Sequence, residues 1–144
     1  MKFLEQDINN QRITDSAYWN CMFPSDAVFE QHVLFVIKRT EAQYFHELTL
    51  QEHADLMVMI RHIRTYLIST TTTFEGYNLF CNNGSEAIGQ HMQQFHMHAF
   101  FRSSSELESP YAIMGKQDKS IKYGTPLWNK NHAKLRQMFE VQSR

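Results

Sequence analysis

The stretch that decides the fold is Gly89-Gln90-His91-Met92-Gln93-Gln94-Phe95-His96-Met97-His98-Ala99-Phe100-Phe101-Arg102, which has the alternation of a half-buried β-strand. In a strand, alternate side chains share one face. Two faces result, a polar one with Gln94, His96 and His98 and an apolar one with Phe95, Met97 and Ala99. Two imidazoles with pKa values near neutrality can take different catalytic roles: one attacks as a neutral nucleophile, and the other stabilises negative charge on a phosphate. Taken alone, the His-x-His pattern favours two surface histidines on a solvated strand, so its context has to decide.

Length and composition predict one globular domain over residues 1–144. Of the 144 residues, 42% are hydrophobic and 20% are charged, which is the balance of a folded chain. A chain of this size is long enough for one core and too short for two ordinary domains. The formal net charge of -1 argues against a nonspecific nucleic-acid binder, which carries a basic excess to neutralise phosphates. No nucleic-acid partner is therefore expected.

Cysteine usage and the N-terminus predict the compartment. Cys21 and Cys81 do not form a close pair, so neither a disulfide scaffold nor a four-cysteine zinc site is expected. Residues 1–7 become polar too quickly for a signal peptide, and no later run is long enough to span a bilayer. We expect a cytoplasmic protein with no membrane partner.

Three segments before the His-bearing strand predict an α+β layout. Residues 13–23 mix aromatic and β-branched side chains and end at Pro24-Ser25-Asp26, which predicts a strand followed by a turn. The apolar run over residues 32–37 predicts a central strand that is buried on both faces. A long helix is expected to begin at Thr49-Leu50-Gln51-Glu52, which has the capping-box pattern. Its apolar stripe consists of Leu56, Ile60, Ile63 and Leu67.

The sequence also predicts what flanks the His-bearing strand. Residues 75–81 alternate as a strand does and then meet Asn82-Asn83-Gly84, a strong turn signal, so two antiparallel strands joined by a loop are expected. Residues 103–144 predict a loop-rich tail with a short helix over residues 131–142.

The turn and the strand together carry a specific order of residues. Asn82-x-Gly84 is followed by Gly89-Gln90 and then by Gln94-x-His96-x-His98-x-x-x-Arg102. This order resembles the histidine triad (HIT) family, whose pattern is Asn-x-Gly, Gly-Gln, His-x-His-x-His and an arginine four residues on. Residues 32–39 are similar to that family's Gly-His-x-Leu-Val-Ile-Pro-Lys-Arg strand, and Gly76-Tyr77-Asn78-Leu79 is a third similarity. The agreement in order covers about residues 12–102.

The resemblance implies a fold and an activity. The fold is a HIT-like meandering antiparallel sheet of about five strands with one long helix, and homodimers are common. The activity is nucleotidyl transfer to water: a histidine attacks the α-phosphate of a nucleoside phosphoramidate or dinucleoside polyphosphate, and water then hydrolyses the nucleotidyl-histidine. No cofactor and no metal ligand are implied.

The resemblance also implies the site residues. His96 matches the family nucleophile, and the backbone carbonyl of Gln94 is expected to accept a hydrogen bond from the protonated ring nitrogen of His96. His98 and His32 match histidines near the nonbridging phosphate oxygens, where they favour the charged transition state. The substrate-binding positions are completed by Asn82, Gly89, Gln90 and His91. Asn82 and Gln90 match donors to phosphate, Gly89 adds backbone amides, and His91 matches a position that touches the leaving group in some members.

The sequence departs from the family pattern in ways that leave alternatives open. Gln94 replaces the first motif histidine, and Cys21 occupies the position of the carboxylate that binds ribose, for which Asp26 is a nearby substitute. These departures motivate a second hypothesis, a HIT-like module that binds a mononucleotide without turnover. A third hypothesis is a metal site with His96 and His98 as ligands and His32 as the third.

Overall fold

The computed structural model describes residues 2–106, 108–114 and 121–140, and it forms a mixed α/β fold. The helices are α1 Glu5–Gln11, α2 Leu50–Thr70, α3 Pro110–Met114 and α4 Pro126–Glu140, with 3-10 turns at Phe45–Glu47 and Glu86–Ile88. The strands are β1 Arg12–Asp15, β2 Trp19–Met22, β3 Asp26–Ala27, β4 His32–Ile37, β5 Phe74–Phe80, β6 His96–Ser103 and β7 Ile121–Lys122.

Five strands form an antiparallel sheet in the order β1-β2-β4-β6-β5, and β3 pairs with β7 in a separate two-stranded ribbon. This confirms the predicted fold class and the central position of β4, all of whose residues are buried. The prediction of one strand over residues 13–23 is wrong, because the segment folds back on itself as β1 and β2. Asp55 of α2 fixes this reversal, since its Oδ2 accepts hydrogen bonds from Ser16 Oγ at 2.5 Å and from Tyr18 N at 3.1 Å.

Helix α2 begins where the sequence predicts, with Thr49 as its N-cap. Thr49 Oγ1 accepts from Glu52 N at 3.1 Å, and Glu52 Oε1 accepts from Thr49 N at 2.8 Å, which completes the capping box. The four predicted stripe residues are buried between the helix and one face of the sheet. Phe35, Met97, Ala99 and Phe101 of the sheet and Phe95, which directly precedes β6, join this core.

The other face of the sheet is covered only in part. Met22, Leu34 and Val36 form a small apolar cluster there, and Phe3 and Ile8 of the N-terminal segment pack against it. The face that carries Leu34 also carries His32, His96 and His98, which line an open cavity. The alternation of β6 predicted from the sequence therefore separates the core from this cavity.

The C-terminal segment packs into the same core as the sheet. Its helix is α4, which begins five residues before the predicted short helix, and the predicted end at position 142 lies outside the described residues. Trp128 Nε1 donates to Pro24 O at 2.8 Å, and the Trp128 ring lies 5.3 Å from that of Phe23. Leu135 and Met138 are buried beside them. Among the described helices, none combines the length and the apolarity that a membrane span needs.

Candidate active site

The cavity on the open face of the sheet has a volume of about 530 Å³ and brings the predicted histidines together. Two paired strands supply these histidines: His32 comes from β4, and His96 and His98 come from β6. The same strands add the apolar lining residues Leu34 and Phe100. Phe80 of β5 stacks on His98 with ring centroids 4.5 Å apart, and Phe100 lies edge-on to His32 at 4.6 Å. The rings of His98 and His32 are thus each packed against a phenylalanine ring.

His96 is oriented by the main chain. Its Nδ1 lies 3.0 Å from the carbonyl oxygen of Gln94, and because a carbonyl only accepts, we assign the proton of the neutral ring to Nδ1. The other nitrogen, Nε2, then carries a free electron pair. The residue is 9% exposed and lines the cavity, so a neutral imidazole with an unprotonated nitrogen borders the cavity.

A chain of hydrogen bonds fixes the tautomers of the other two histidines. Val28 N donates to His32 Nδ1 at 3.1 Å, and His32 Nε2 lies 3.0 Å from His98 Nδ1. An amide N–H only donates, so His32 Nδ1 must be unprotonated, and the proton of the neutral ring is on Nε2. That proton faces His98 Nδ1, which makes the Nε2 of His98 the protonated nitrogen. His98 is therefore a hydrogen-bond donor and His96 an acceptor within the same row.

Burial keeps the three rings neutral. Desolvation lowers the pKa of His98 to about 3, with a further contribution from His96, and lowers the pKa of His32 well below its usual value, with a contribution from His98. The pKa of His96 is also lowered, first by burial and then by the nearby His91, although the hydrogen bond to Gln94 opposes the shift. A neutral His96 is what nucleophilic attack requires.

Asn82, Gly89 and His91 also line the cavity, as the sequence predicts. Asn82 Nδ2 donates to Gly89 O at 3.2 Å, and Gly89 has φ of +111°, which favours glycine. A Cβ at position 89 would lie 3.2 Å from the Asn82 amide. The Gly89 amide N–H donates to Glu86 O at 3.0 Å, so it is engaged within the loop. His91 is exposed, with its Nδ1 3.8 Å from Glu86 Oε1.

The structure does not bring the side chains of Gln90 and Gln94 into the cavity. Gln90 is 2% exposed; its Nε2 donates to Gln43 O and Gln93 O, and its Oε1 accepts from Gly84 N. The side-chain amide of Gln90, which the sequence predicts as a phosphate donor, is thus hydrogen-bonded to the main chain of the surrounding loops. Gln94 is equally buried: its Nε2 donates to Ile37 O at 2.6 Å, and its Oε1 accepts from Phe3 N at 3.1 Å.

Phe3 and Lys122 are among the cavity residues that sequence reasoning missed. Phe3 stands edge-on to His96 with ring centroids 5.3 Å apart, and Lys122 reaches the rim through the pairing of β7 with β3. There Lys122 Nζ lies 3.0 Å from Oδ1 of Asp26, the residue named as a substitute for the ribose carboxylate. Both contacts are long-range, so no local pattern could have revealed them. Cys21 is buried in the core on the opposite side of the sheet.

The metal hypothesis finds no geometric support in the described part of the chain. Residues 2–106, 108–114 and 121–140 contain no group of three or more His, Cys, Asp or Glu side chains placed to hold a metal ion. The contact between His32 Nε2 and His98 Nδ1 uses one nitrogen of each ring for a hydrogen bond.

The chain is similar to HIT proteins in fold. A histidine triad protein from Marinobacter aquaeolei VT8 superposes with a TM-score of 0.69 at 17% identity, over 98% of each chain. The diadenosine triphosphate hydrolase of Plasmodium falciparum gives a TM-score of 0.55 at 15% identity, over 90% of this chain and 79% of that one. The C. elegans NitFhit protein gives a TM-score of 0.57 at 18% identity over 76% of this chain, which spans 26% of the NitFhit chain.

The sequence itself identifies the family to which the chain belongs. No curated protein sequence matches the chain, but the family model of the HIT domain matches residues 5–104, which is well over half of its length. The same residues contain α1, the five-stranded sheet, helix α2 and the histidine row. The chain therefore belongs to the histidine triad family, with a HIT domain over residues 5–104.

Proposed function

We propose that the protein is a nucleotide hydrolase or transferase that cleaves a phosphoramidate or phosphoanhydride bond at the α-phosphate through a nucleotidyl-His96 intermediate. The observation that carries the proposal is the orientation of His96. Its Nδ1 is tied to the Gln94 carbonyl at 3.0 Å, and its ring lines the cavity. This arrangement presents an unprotonated nitrogen as the nucleophile, and it needs no imidazole at position 94 because a main-chain oxygen does the orienting.

In the first step, the lone pair of His96 Nε2 attacks the α-phosphorus. An N–P bond forms while the bond from phosphorus to the leaving group breaks, and the leaving group departs with that electron pair and takes a proton from water. The attacked phosphate develops negative charge on its oxygens, and the Nε2–H of His98 is a donor already directed by its hydrogen bond to His32. A preoriented donor of this kind lowers the barrier because it needs no reorganisation during the reaction.

In the second step, water attacks the phosphorus of the intermediate. The N–P bond breaks, its electron pair returns to His96 Nε2, and the attacking water loses a proton to solvent. The products are a nucleoside monophosphate and the protonated leaving group. Asn82 and His91, which line the cavity, are proposed as contacts of the substrate phosphates or the leaving group, and Gly89 as the residue that leaves room for the Asn82 amide.

Family membership and the fold support this class of substrate. The chain has a HIT domain, and one protein with the same fold is a diadenosine triphosphate hydrolase. The cavity walls formed by Leu34, Phe80 and Phe100 are apolar and aromatic, which suits a planar base beside a polar phosphate end.

The direct test is hydrolysis of an adenosine phosphoramidate and of a diadenosine polyphosphate by the wild type and by His96→Ala. Wild-type turnover of either substrate with a loss of about 10³-fold or more in the variant supports the proposal. Equal turnover by both proteins would defeat the assignment of His96. His53→Ala is the matched control, because this histidine lies on α2 at the far side of the sheet.

A second candidate is a binding module without turnover, favoured by the burial of the Gln94 side chain and by the core position of Cys21. It predicts micromolar binding of AMP by calorimetry together with no product from either substrate. Product formation that depends on His96 would remove it.

We also propose that the described segments belong to one domain over residues 1–144 and that the protein is a cytoplasmic homodimer. The core shared by the sheet and α4 supports one domain.

Strand β5 ends the sheet, and exposed apolar side chains on β5 and on α2 leave a surface suited to a second copy: Tyr77, Leu79, Met57, Val58 and Ile68. Sedimentation equilibrium tests this, and a monomer at all concentrations would contradict it. The two cysteines are unpaired, which fits a reducing compartment.

A further inference from the structure

The N-terminal segment makes a contact with the nucleophile that nothing in the HIT motif requires. Phe3 lies outside the residues 5–104 that match the family, yet its ring stands at 80° to the His96 ring with centroids 5.3 Å apart. The same ring lines the cavity and packs on the apolar cluster that includes Leu34. An edge-on arrangement is a favourable contact between two aromatic rings. Phe3 therefore has a defined place beside His96.

The side chain of Gln94 holds this segment in place. Its Oε1 accepts from the Phe3 backbone N–H at 3.1 Å, while its Nε2 donates to Ile37 O at 2.6 Å. Gln94 is 2% exposed, the bond to Ile37 is buried and the bond from Phe3 is half-buried, so leaving the Gln94 amide unpaired is costly. The residue that departs from the family's first histidine thus links the end of β4, the N-terminal segment and, through its own carbonyl, the His96 ring.

We infer that Phe3, anchored by Gln94, is a positioning residue for His96: it fixes the plane of the imidazole and covers one side of the ring against water. This inference rests on the proposed role of His96 and adds residues that the motif does not contain. Gln94 then has two roles. Its backbone carbonyl orients Nδ1 of His96, and its side-chain amide holds the backbone of Phe3. The alternative, that Phe3 only fills space on the apolar cluster, predicts a loss of stability without any change at His96.

Other titratable or charged groups near His96 have to be held constant in any test. They come from the adjacent strands, from the loop that precedes β6 and from the cavity rim: His98, His32, His91, Glu86, Asp26 and Lys122. Among these groups, the nearby His91 acts to lower the pKa of His96, after the larger effect of burial. Phe3 is uncharged, so its removal changes the hydration of His96 and leaves these titratable and charged groups in place.

The experiment compares Phe3→Ala and Phe3→Leu with Leu4→Ala, a matched control in the same segment whose side chain is 67% exposed. The first readout is the pH titration of the His96 ring by NMR in the protein without substrate. We expect the pKa of His96 to rise toward its ordinary value by about half a unit or more in Phe3→Ala. In Phe3→Leu, which keeps an apolar cover, His96 should titrate closer to its wild-type pKa. In Leu4→Ala, His96 should titrate as in the wild type.

The second readout is turnover on the better substrate. Phe3→Ala should lower kcat by about 3- to 30-fold with little change in KM, because ring orientation affects the attack more than the binding of the nucleotide. The acid limb of its pH profile should move upward with the NMR titration. In a Gln94→Leu background, Phe3→Ala should have little further effect on either readout, since the anchor is already lost.

The two proposals fail in different ways. If the wild type turns over no nucleotide substrate, the proposed function fails, while the NMR titration still decides the placement of Phe3. If Phe3→Ala titrates and turns over like Leu4→Ala, the positioning role is wrong even with an active enzyme. Should Phe3→Ala not fold, Phe3→Val, which leaves a smaller apolar cover over the ring, decides the matter: a rise in the pKa of His96 supports the positioning role, and an unchanged titration contradicts it.

Discussion

At the scale of the residue, one backbone amide sets the character of two side chains. Val28 N–H can only donate, so it makes His32 present a proton to His98 and makes His98 present a proton at Nε2. The Gln94 carbonyl imposes the opposite state on His96. Two histidines of the same strand therefore have opposite hydrogen-bonding roles, and main-chain groups set both of them.

The first prediction concerns this chain of hydrogen bonds. His98→Ala should lower kcat by about 10²-fold or more, because it removes a preoriented donor to the phosphate. His32→Ala should cost about 10-fold, since His32 acts through His98. The double variant should be no slower than His98→Ala, and steady-state kinetics checks this. Additive losses would show that His32 touches the substrate independently.

The second prediction concerns pH. Because burial lowers the pKa of His96, the ring stays neutral below its ordinary pKa of about 6.5. The acid limb of kcat/KM should therefore lie below pH of about 6.5, with activity lost as His96 takes up a proton at lower pH. An acid limb above that value would contradict the proposed environment of His96.

Much of the site at this scale was predictable from the sequence, and the rest was not. The alternation around His96 places both histidines on one face because strand geometry leaves no other choice. The hydrogen-bond partners of Gln90 were not predictable, because its side-chain amide meets the carbonyls of Gln43 and Gln93 only in the folded chain. Phe3 reaches His96 from far along the chain, beyond the reach of any local rule.

At the scale of the element, helix α2 is tied to the sheet by its first turn. Arg39, two residues beyond β4, binds both carboxylate oxygens of Glu52, at 2.9 and 3.1 Å, and Trp19 Nε1 donates to Glu52 O at 2.8 Å. Hydrogen bonding to Arg39 is the main cause of the lowered pKa of Glu52, and burial opposes it. The capping box therefore orients the helix as well as starting it.

The third prediction tests this turn. Thr49→Ala should lower the free energy of unfolding by about 1 kcal/mol, because the amide of Glu52 loses its cap. Turnover should stay near the wild-type rate, since α2 covers the face of the sheet away from the cavity. The matched control is Thr65→Ala at an exposed position within α2, which should be neutral or slightly stabilising in urea unfolding. A Thr49→Ala variant as stable as this control would show that the cap contributes nothing.

Elements with a strong local signal were predictable. The apolar run of β4 and the capping box of α2 agree with the structure because burial and hydrogen bonding act there within a few residues. The split of residues 13–23 into β1 and β2 was missed because the reversal depends on Asp55, a residue of another element. The two strands β3 and β7 each have two residues, which is too short for any periodicity.

At the scale of the whole molecule, the sheet separates a dry core from a cavity that buries three histidines in neutral form. The buried His32 and His98 cost stability in acid. Their pKa values are lowered in the folded state, so the unfolded chain binds more protons below its ordinary histidine pKa of about 6.5. The free energy of unfolding is therefore highest above that pH and falls as pH decreases.

The fourth prediction follows from this linkage. Between about pH 6.5 and about pH 5, each of the two histidines should contribute a slope of up to about 1.4 kcal/mol per pH unit. Urea unfolding across this range measures the slope. His98→Gln should flatten it, whereas His46→Gln, at an exposed position, should leave it as in the wild type. Equal slopes in both variants would mean that His98 is not held neutral by the fold.

The most direct test of the account is to trap the covalent intermediate. The protein is mixed with a nucleotide substrate, quenched within a single turnover and digested for mass spectrometry of the peptide that contains His96. The account predicts a nucleotidyl group on His96, whose Nδ1 is occupied by the Gln94 carbonyl; the group should be absent from His96→Ala and from His98. Steady product formation without any nucleotidyl-His96, or with the group on another residue, would contradict it.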